Sequence, residues 1–182
     1  MAKKVALIVG SLRKDSINRK LARAIQKLAE GRLSFVELEI GALPHYNEDL
    51  WADLPPVVSR LKAQIEEADA VLAVTPEHNR HNPAVINNAL EWASRPYGQN
   101  SWSGKPAAVT GTSPGAIGAA VAQSCLKLAM LNCNMVMMHQ PEAYIQFSPE
   151  VFGDDGTIHD ESVRGFLQAW VDAFVAFIDK HA

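Results

Sequence analysis

The chain has 182 residues, a length that suits one α/β domain and crowds two. Its hydrophobic fraction of 48% and charged fraction of 20% are ordinary for a globular protein and argue against disorder. A formal charge of −3 without a basic stripe speaks against nucleic-acid binding, and no apolar run reaches the ~18–20 residues that a membrane-spanning helix needs.

Val5 to Val9 is a continuous apolar run ended by Gly10, as expected of a strand buried on both faces of a parallel sheet. Ile17 to Glu30 follows as a helix, with Leu21, Ala24, Ile25 and Leu28 at helical spacing and Gly31 as its stop. Phe35 to Leu38 is a second, short strand, and Gly41 to Leu54 a loop. Pro55 to Glu67 reads as a helix with prolines in its first turn. Ala70 to Val74 is a third strand and Pro83 to Ala93 a proline-opened helix. Ala107 to Val109 is the core of a fourth strand, Ile117 to Leu131 a helix, and Met135 to Met138 a fifth strand. Glu161 to Lys180 closes the chain as an amphipathic helix with Phe166, Trp170, Phe174 and Phe177 on its inner side.

This alternation predicts a single domain over residues 1–182. A five-stranded parallel sheet of order 2-1-3-4-5 lies between two helical layers, a three-layer α/β sandwich. Ligands of such folds bind beyond the C-terminal ends of the strands, at the switch point in strand order. Cys125 and Cys133 fall on or just beyond one helix, ~12 Å apart at its rise per residue. That is too far for a disulfide, so free thiols, a reducing compartment and a cytoplasmic location are expected.

Three loops fall at the switch point. Gly10 to Asn18 offers small polar side chains, Arg13 and the unpaired amides of a helix N-terminus, which together form an anion site. It lacks the G-x-G-x-x-G pattern of dinucleotide sites and the Gly-Lys-Ser/Thr ending of a P-loop, so a phosphate monoester fits better than a pyrophosphate. The plainer alternative is a capped helix with Ser16 as N-cap and Arg13 in solvent. Thr75 to Pro83, stiffened by proline at both ends, offers polar groups to the edge of a flat heterocycle. Its two histidines, His78 and His81, lack a third ligand of matching spacing, which argues against a metal site. Thr110 to Gly118 adds Gly111, Gly115 and Gly118, where the backbone can approach a ligand, and the hydroxyls of Thr112 and Ser113. No nucleophile elbow and no carboxylate pair is evident, which points to chemistry carried by a cofactor.

The motifs Gly10-Ser-Leu-Arg-x-x-Ser-x-Asn18, Thr75-Pro-Glu-x-Asn79, Asn88-Ala-x-x-Trp-x-Ser-Arg95, Gly104-Lys-Pro106 and Ser113-x-Gly115 occur together over nearly the whole chain. In that combination the chain resembles the NAD(P)H-dependent FMN reductases, in their bacterial quinone and chromate reductase branch. The resemblance implies a flavodoxin-like fold, FMN as cofactor and NADPH or NADH as electron donor. It also implies two-electron transfer by a ping-pong mechanism to a small acceptor (quinone, chromate, azo or nitro compound). Ser11, Leu12, Arg13, Ser16, Ile17 and Asn18 would hold the phosphate. Pro76, Glu77, His78 and Asn79 would line the ribityl chain and ring, and Thr112, Ser113 and Gly115 would flank the ring. No side chain is implied as a catalytic acid or base. Homodimers, and in some relatives homotetramers, are implied, with segment 43–49 reaching a neighbour's flavin.

Departures from the family pattern are His78 where Tyr is usual, His81 and Asn82 where Ser and an apolar residue stand, and Asn87 where Lys is common. His78 is thereby a candidate contact for the electron acceptor. Of an arginine–tyrosine–glutamate interface network in tetrameric relatives, Val121 and Ser124 replace the first two and only Glu142 remains, which favours the dimer. A flavodoxin-like electron carrier or regulator without turnover is the alternative; the modest charge and Arg13 weigh against it.

Overall fold

Alternation along the first strand decides which helices lie on which side. The computed structural model describes residues 2–182. In it β1 (Lys3–Val9) leads into α1 (Ile17–Leu28), β2 (Leu33–Glu37), α2 (Pro56–Glu66), β3 (Ala70–Val74), α3 (Ala84–Ala93), β4 (Pro106–Ser113) and α4 (Ala120–Asn132). β5 (Val136–Met137), β6 (Tyr144–Gln146) and α5 (Glu161–His181) complete the chain. Val5, Leu7 and Val9 bury their side chains against Leu21 and Ile25 of α1 and Trp170 and Phe174 of α5. Ala6 and Ile8 point the other way, into a cluster with Leu61 of α2, Ile86 and Trp92 of α3 and Leu126 of α4. Each such large side chain contributes ~1.5–3 kcal/mol on burial, so both sheet faces are covered by necessity.

The strands run parallel in the order β2-β1-β3-β4-β5. The fifth position is shared: β5 pairs with Pro106 and Ala107, and β6 pairs with Gly111 to Ser113 farther along β4. Sequence periodicity found the first piece and missed the second, because residues 139–143 interrupt the strand. Glu142, within that break, holds Lys127 of α4 at 2.6 Å. The predicted loop from Gly41 to Leu54 contains a second short helical turn, Glu48–Asp53, after a first at Ile40–Ala42.

One side chain of the closing helix is corrected. Phe166 is 46% exposed, and the inner face is formed by Leu167, Trp170, Val171, Phe174 and Ile178. The buried stripe begins one residue after Phe166. Cys125 and Cys133 are both free thiols.

Candidate functional site

The loop after β1 makes the entrance to α1. Ser16 is the N-cap, with extended backbone, and its hydroxyl accepts the Arg19 N–H at 3.2 Å. The amides of Ile17 and Asn18 come next and have no carbonyl one turn upstream. No acidic residue occupies the first turn of α1, so the positive end of its dipole is not neutralised from within. Gly10 serves packing: a Cβ there would lie 2.4 Å from Ile86 Cδ1. Leu12 is 58% exposed and its methyl lies where a Cβ on Gly41 would clash, so it covers the turn after β2.

Asn18 also has a structural part in assembling the site. Its side-chain amide donates to the Thr112 carbonyl and its oxygen accepts the Thr112 N–H, both at 3.0 Å. The pair is buried and joins the β1–α1 loop to the end of β4 across the cavity floor. Asn18 thus acts as a clasp through its side chain while it also lines the cleft.

The loop after β3 is a two-residue hairpin. His78 and His81 exchange N–H···O bonds of 3.0 and 2.9 Å, and Asn79 and Arg80 between them both have positive φ, 53° and 60°. Left-handed backbone suits Asn and costs Arg more. Arg80 is tied down by an ion pair to Glu77 at 2.8 Å. Glu77 is itself 7% exposed at its side chain. Its other oxygen accepts the Val121 and Ala122 amides at 3.0 and 3.1 Å, capping α4, whose own N-cap Ala119 has no side chain able to do so. Burial pushes the Glu77 carboxyl up, but those two amides and the Arg80 guanidinium outweigh it and hold the group below the ordinary carboxylate range. Glu77 thus spans the second loop and α4, a role that its place in a polar loop motif does not reveal.

In the third loop Gly111 leaves no room for any side chain, since a Cβ would lie 2.1 Å from the Thr75 carbonyl oxygen. Thr112 turns its hydroxyl to the Ile145 carbonyl at 2.7 Å, away from the cavity. Ser113 donates to the Gly115 carbonyl at 3.2 Å. A Cβ added to Gly115 would meet only that serine hydroxyl, so the backbone there stays approachable.

The three loops close on a cleft of about 270 Å³ at the C-terminal ends of β1, β3 and β4. It brings together Ser11, Arg13, Ser16, Ile17, Asn18, Pro76, Glu77, His78, Thr112 and Ser113, with Pro114, which sequence reading missed. Leu12, Asn79 and Gly115 do not line it. Asn79 sits at the hairpin tip, facing out. A larger cavity of about 440 Å³ lies at the C-terminal ends of α3 and α4, beside Glu91, Arg95, Tyr97 and Cys133. The smaller cleft is the better candidate for the cofactor, because it alone combines helix-end amides, a hydroxyl and an arginine at the switch point. Its one carboxylate, Glu77, is already fully engaged. That donor set fits a phosphate monoester, and the flanking Pro76, His78 and Pro114 leave a slot for a flat ring. Among the described residues, no three His, Cys, Asp or Glu side chains converge as a metal site.

The fold and this cleft define a flavodoxin-like nucleotide-binding protein. Residues 3–150 match the family model for NADPH-dependent FMN reductase, and the chain belongs to that family. A 2-hydroxy-1,4-benzoquinone reductase of a Burkholderia species is 47% identical over 98% of this chain and 97% of its own. A quinone reductase of Pseudomonas putida is 49% identical over 96% of this chain and 94% of its own. Among solved structures, the flavoenzyme NAD(P)H:(acceptor) oxidoreductase FerB of Paracoccus denitrificans is 62% identical. It covers 99% of both chains with a TM-score of 0.97. FMN and a nicotinamide donor follow from the family.

Proposed function

We propose that the protein is an FMN-dependent NAD(P)H:quinone oxidoreductase. The observation that carries this reading is the meeting of the α1 amides, Ser11 and Arg13 in one cleft that contains no unengaged carboxylate. FMN, when bound there, supplies two-electron chemistry at its ring. The protein's own part is to hold and orient. Ser11, Arg13 and the amides of Ile17 and Asn18 grip the phosphate, and a charged guanidinium roughly doubles the strength of a neutral hydrogen bond. Pro76, Glu77 and His78 present backbone to the ring edge, and the Glu77 cap on α4 fixes their position. The rate comes from stacking donor and acceptor in turn against one open face. A shared face gives ping-pong kinetics, and chromate, azo or nitro compounds small enough to stack there are further acceptors.

The reading includes a homodimer in the cytoplasm. Leu128 and Leu131 are exposed on α4, and Tyr97, which is 98% exposed, lines a cavity with Glu91, Arg95 and Ala129, which leaves this end of α3 and α4 as an unpartnered surface. Two copies related by a two-fold axis would bury it on both sides. Glu142 supports the dimer over the tetramer, because Lys127 of its own chain already neutralises it. Segment 43–49 is held on α3, with the Pro44 carbonyl accepting from Trp92 and Asn88, which presents a firm edge to a neighbour. No helix among the described residues is long and apolar enough to cross a membrane.

The test is the visible spectrum of the purified protein. A flavin spectrum bleached by NADPH without air and restored by a naphthoquinone is the expected result. A protein that takes up FMN yet consumes no NADPH in the presence of quinone would instead be a carrier or regulator.

A further inference from the structure

One wall of the cleft is an arch with a single outside support. Ser113 and Pro114 line the cleft, and Pro114, Gly115, Ala116 and Ile117 are all exposed. Both feet of the arch rest on β6 and the residue after it. At one foot the Ser113 carbonyl accepts the Phe147 N–H at 2.9 Å. At the other, Gly118 lies so near β6 that a Cβ on it would fall 2.6 Å from the Ile145 nitrogen. Between the feet, Ser113 Oγ and the Gly118 N–H both donate to the Gly115 carbonyl, at 3.2 and 3.1 Å, so these bonds stay within the arch. Gln146 of β6 supplies the outside tie: its Nε2 donates to the Pro114 carbonyl at 3.1 Å.

Proline makes that tie matter. Pro114 has no N–H, so its carbonyl is the one backbone group through which it can be held. Among the described residues, no other side chain from outside the arch bonds to residues 114–116. Gln146 is exposed and does not itself line the cleft, so it acts there only through Pro114. Its place is fixed by the ladder, which sets Gln146 beside Ser113. Across the cleft stand Pro76 and His78 of the hairpin. The position of Pro114 therefore sets the width of the slot. Neither a side-chain amide nor a carbonyl titrates, so the tie is independent of pH.

We infer that Gln146 is a positioning residue for the electron acceptor: its bond to Pro114 holds the arch in place and thereby limits the size of quinone admitted beside the flavin. The inference rests on the quinone oxidoreductase reading and adds the residue that sets acceptor size. The net effect of one neutral hydrogen bond corresponds to about a two- to tenfold change in an equilibrium.

The experiment uses two variants at this exposed position. Gln146→Leu removes the donor at similar bulk, and Gln146→Lys restores a donor of similar reach. Without turnover, hydrogen exchange of the Gly118 amide, whose bond to Gly115 lies within the arch, is followed in protein stripped of FMN. With turnover, kcat/KM is measured for 1,4-benzoquinone, a single ring, and for 9,10-phenanthrenequinone, three fused rings, with NADPH as donor. Dividing each variant by wild type cancels the intrinsic reactivity of the two quinones. The FMN dissociation constant is measured alongside.

Exchange at Gly118 should quicken about two- to tenfold in Gln146→Leu and return toward wild type in Gln146→Lys. The preference for the three-ring quinone over the single ring should rise by about the same factor in Gln146→Leu, fall back in Gln146→Lys, and be alike at pH 6 and pH 8. Unchanged exchange in Gln146→Leu overturns the inference. Faster exchange with an unchanged quinone preference overturns the acceptor role, and so does a preference that shifts as far in Gln146→Lys as in Gln146→Leu. Weaker FMN binding as the only defect would assign Gln146 to the cofactor instead. Failure of wild type to reduce either quinone rejects the underlying quinone reductase reading and the acceptor role with it, while hydrogen exchange still decides whether Gln146 holds the arch.

Discussion

Asn18 separates two accounts of the first loop, so its replacement is informative. Asn18→Ala removes both hydrogen bonds to the Thr112 backbone and leaves a buried N–H and a buried carbonyl without partners. Each such group costs ~1–3 kcal/mol, and partial hydration of the new gap recovers some of it, for a loss of roughly 2–5 kcal/mol. In a domain of this size that is a fall of about 5–15 °C in Tm. The decisive assay is denaturant or thermal unfolding of protein stripped of FMN. A side chain that only binds phosphate would leave this stability unchanged and weaken FMN alone. The clasp requires loss of stability without cofactor, and weaker FMN binding as a consequence. A stripped Asn18→Ala protein within about 0.5 kcal/mol of wild type, the usual range for an inconsequential change, would refute the assignment.

Other substitutions probe other parts of the account. Glu77→Ala should cost ~0.5–2 kcal/mol through the lost α4 cap, read by urea unfolding. Because the folded-state Glu77 pKa lies below its ordinary 4.5, the stability it confers is present above that pH and lost as pH falls through the folded value. The gap between wild type and Glu77→Gln should accordingly narrow in acid; a gap constant down to the lowest measurable pH would contradict this. Phe174→Ala should lose ~3–5 kcal/mol, whereas Phe166→Gln should stay within about 0.5 kcal/mol, in the same unfolding assay. Gly111→Ala should fail to give folded protein by circular dichroism, because its methyl would overlap the Thr75 carbonyl. Gly115→Ala should fold normally.

The sheet was legible because strands buried on both faces are written as unbroken apolar runs, as in Val5 to Val9 and Ala70 to Val74. β6 was not, since only Ile145 of its three residues is buried and no periodicity survives at that length. Phe166 misled because an aromatic residue near the right helical spacing reads as core even when it lies one position off the stripe. For the cleft, loop position and residue type identified most of the lining. They did not distinguish a side chain facing the cavity from one used to assemble it. Asn18 and Glu77 are both polar residues in binding motifs, and both direct their side chains to backbone groups distant in sequence. Such partners become visible only when the fold brings the loops together. The opposed histidines were hidden for the same reason: nothing in Thr75 to Pro83 announces a turn of two left-handed residues that includes an arginine.

The central claim is that the phosphate of a mononucleotide is held at the N-terminus of α1. A crystal structure with FMN tests it most directly. The account predicts phosphate oxygens within hydrogen-bonding distance of the Ser11 side chain, the Arg13 guanidinium and the Ile17 and Asn18 amides, with the ring between the hairpin and the end of β4. Phosphate density elsewhere, or a first loop closed over α1 with no ligand contact, would contradict it.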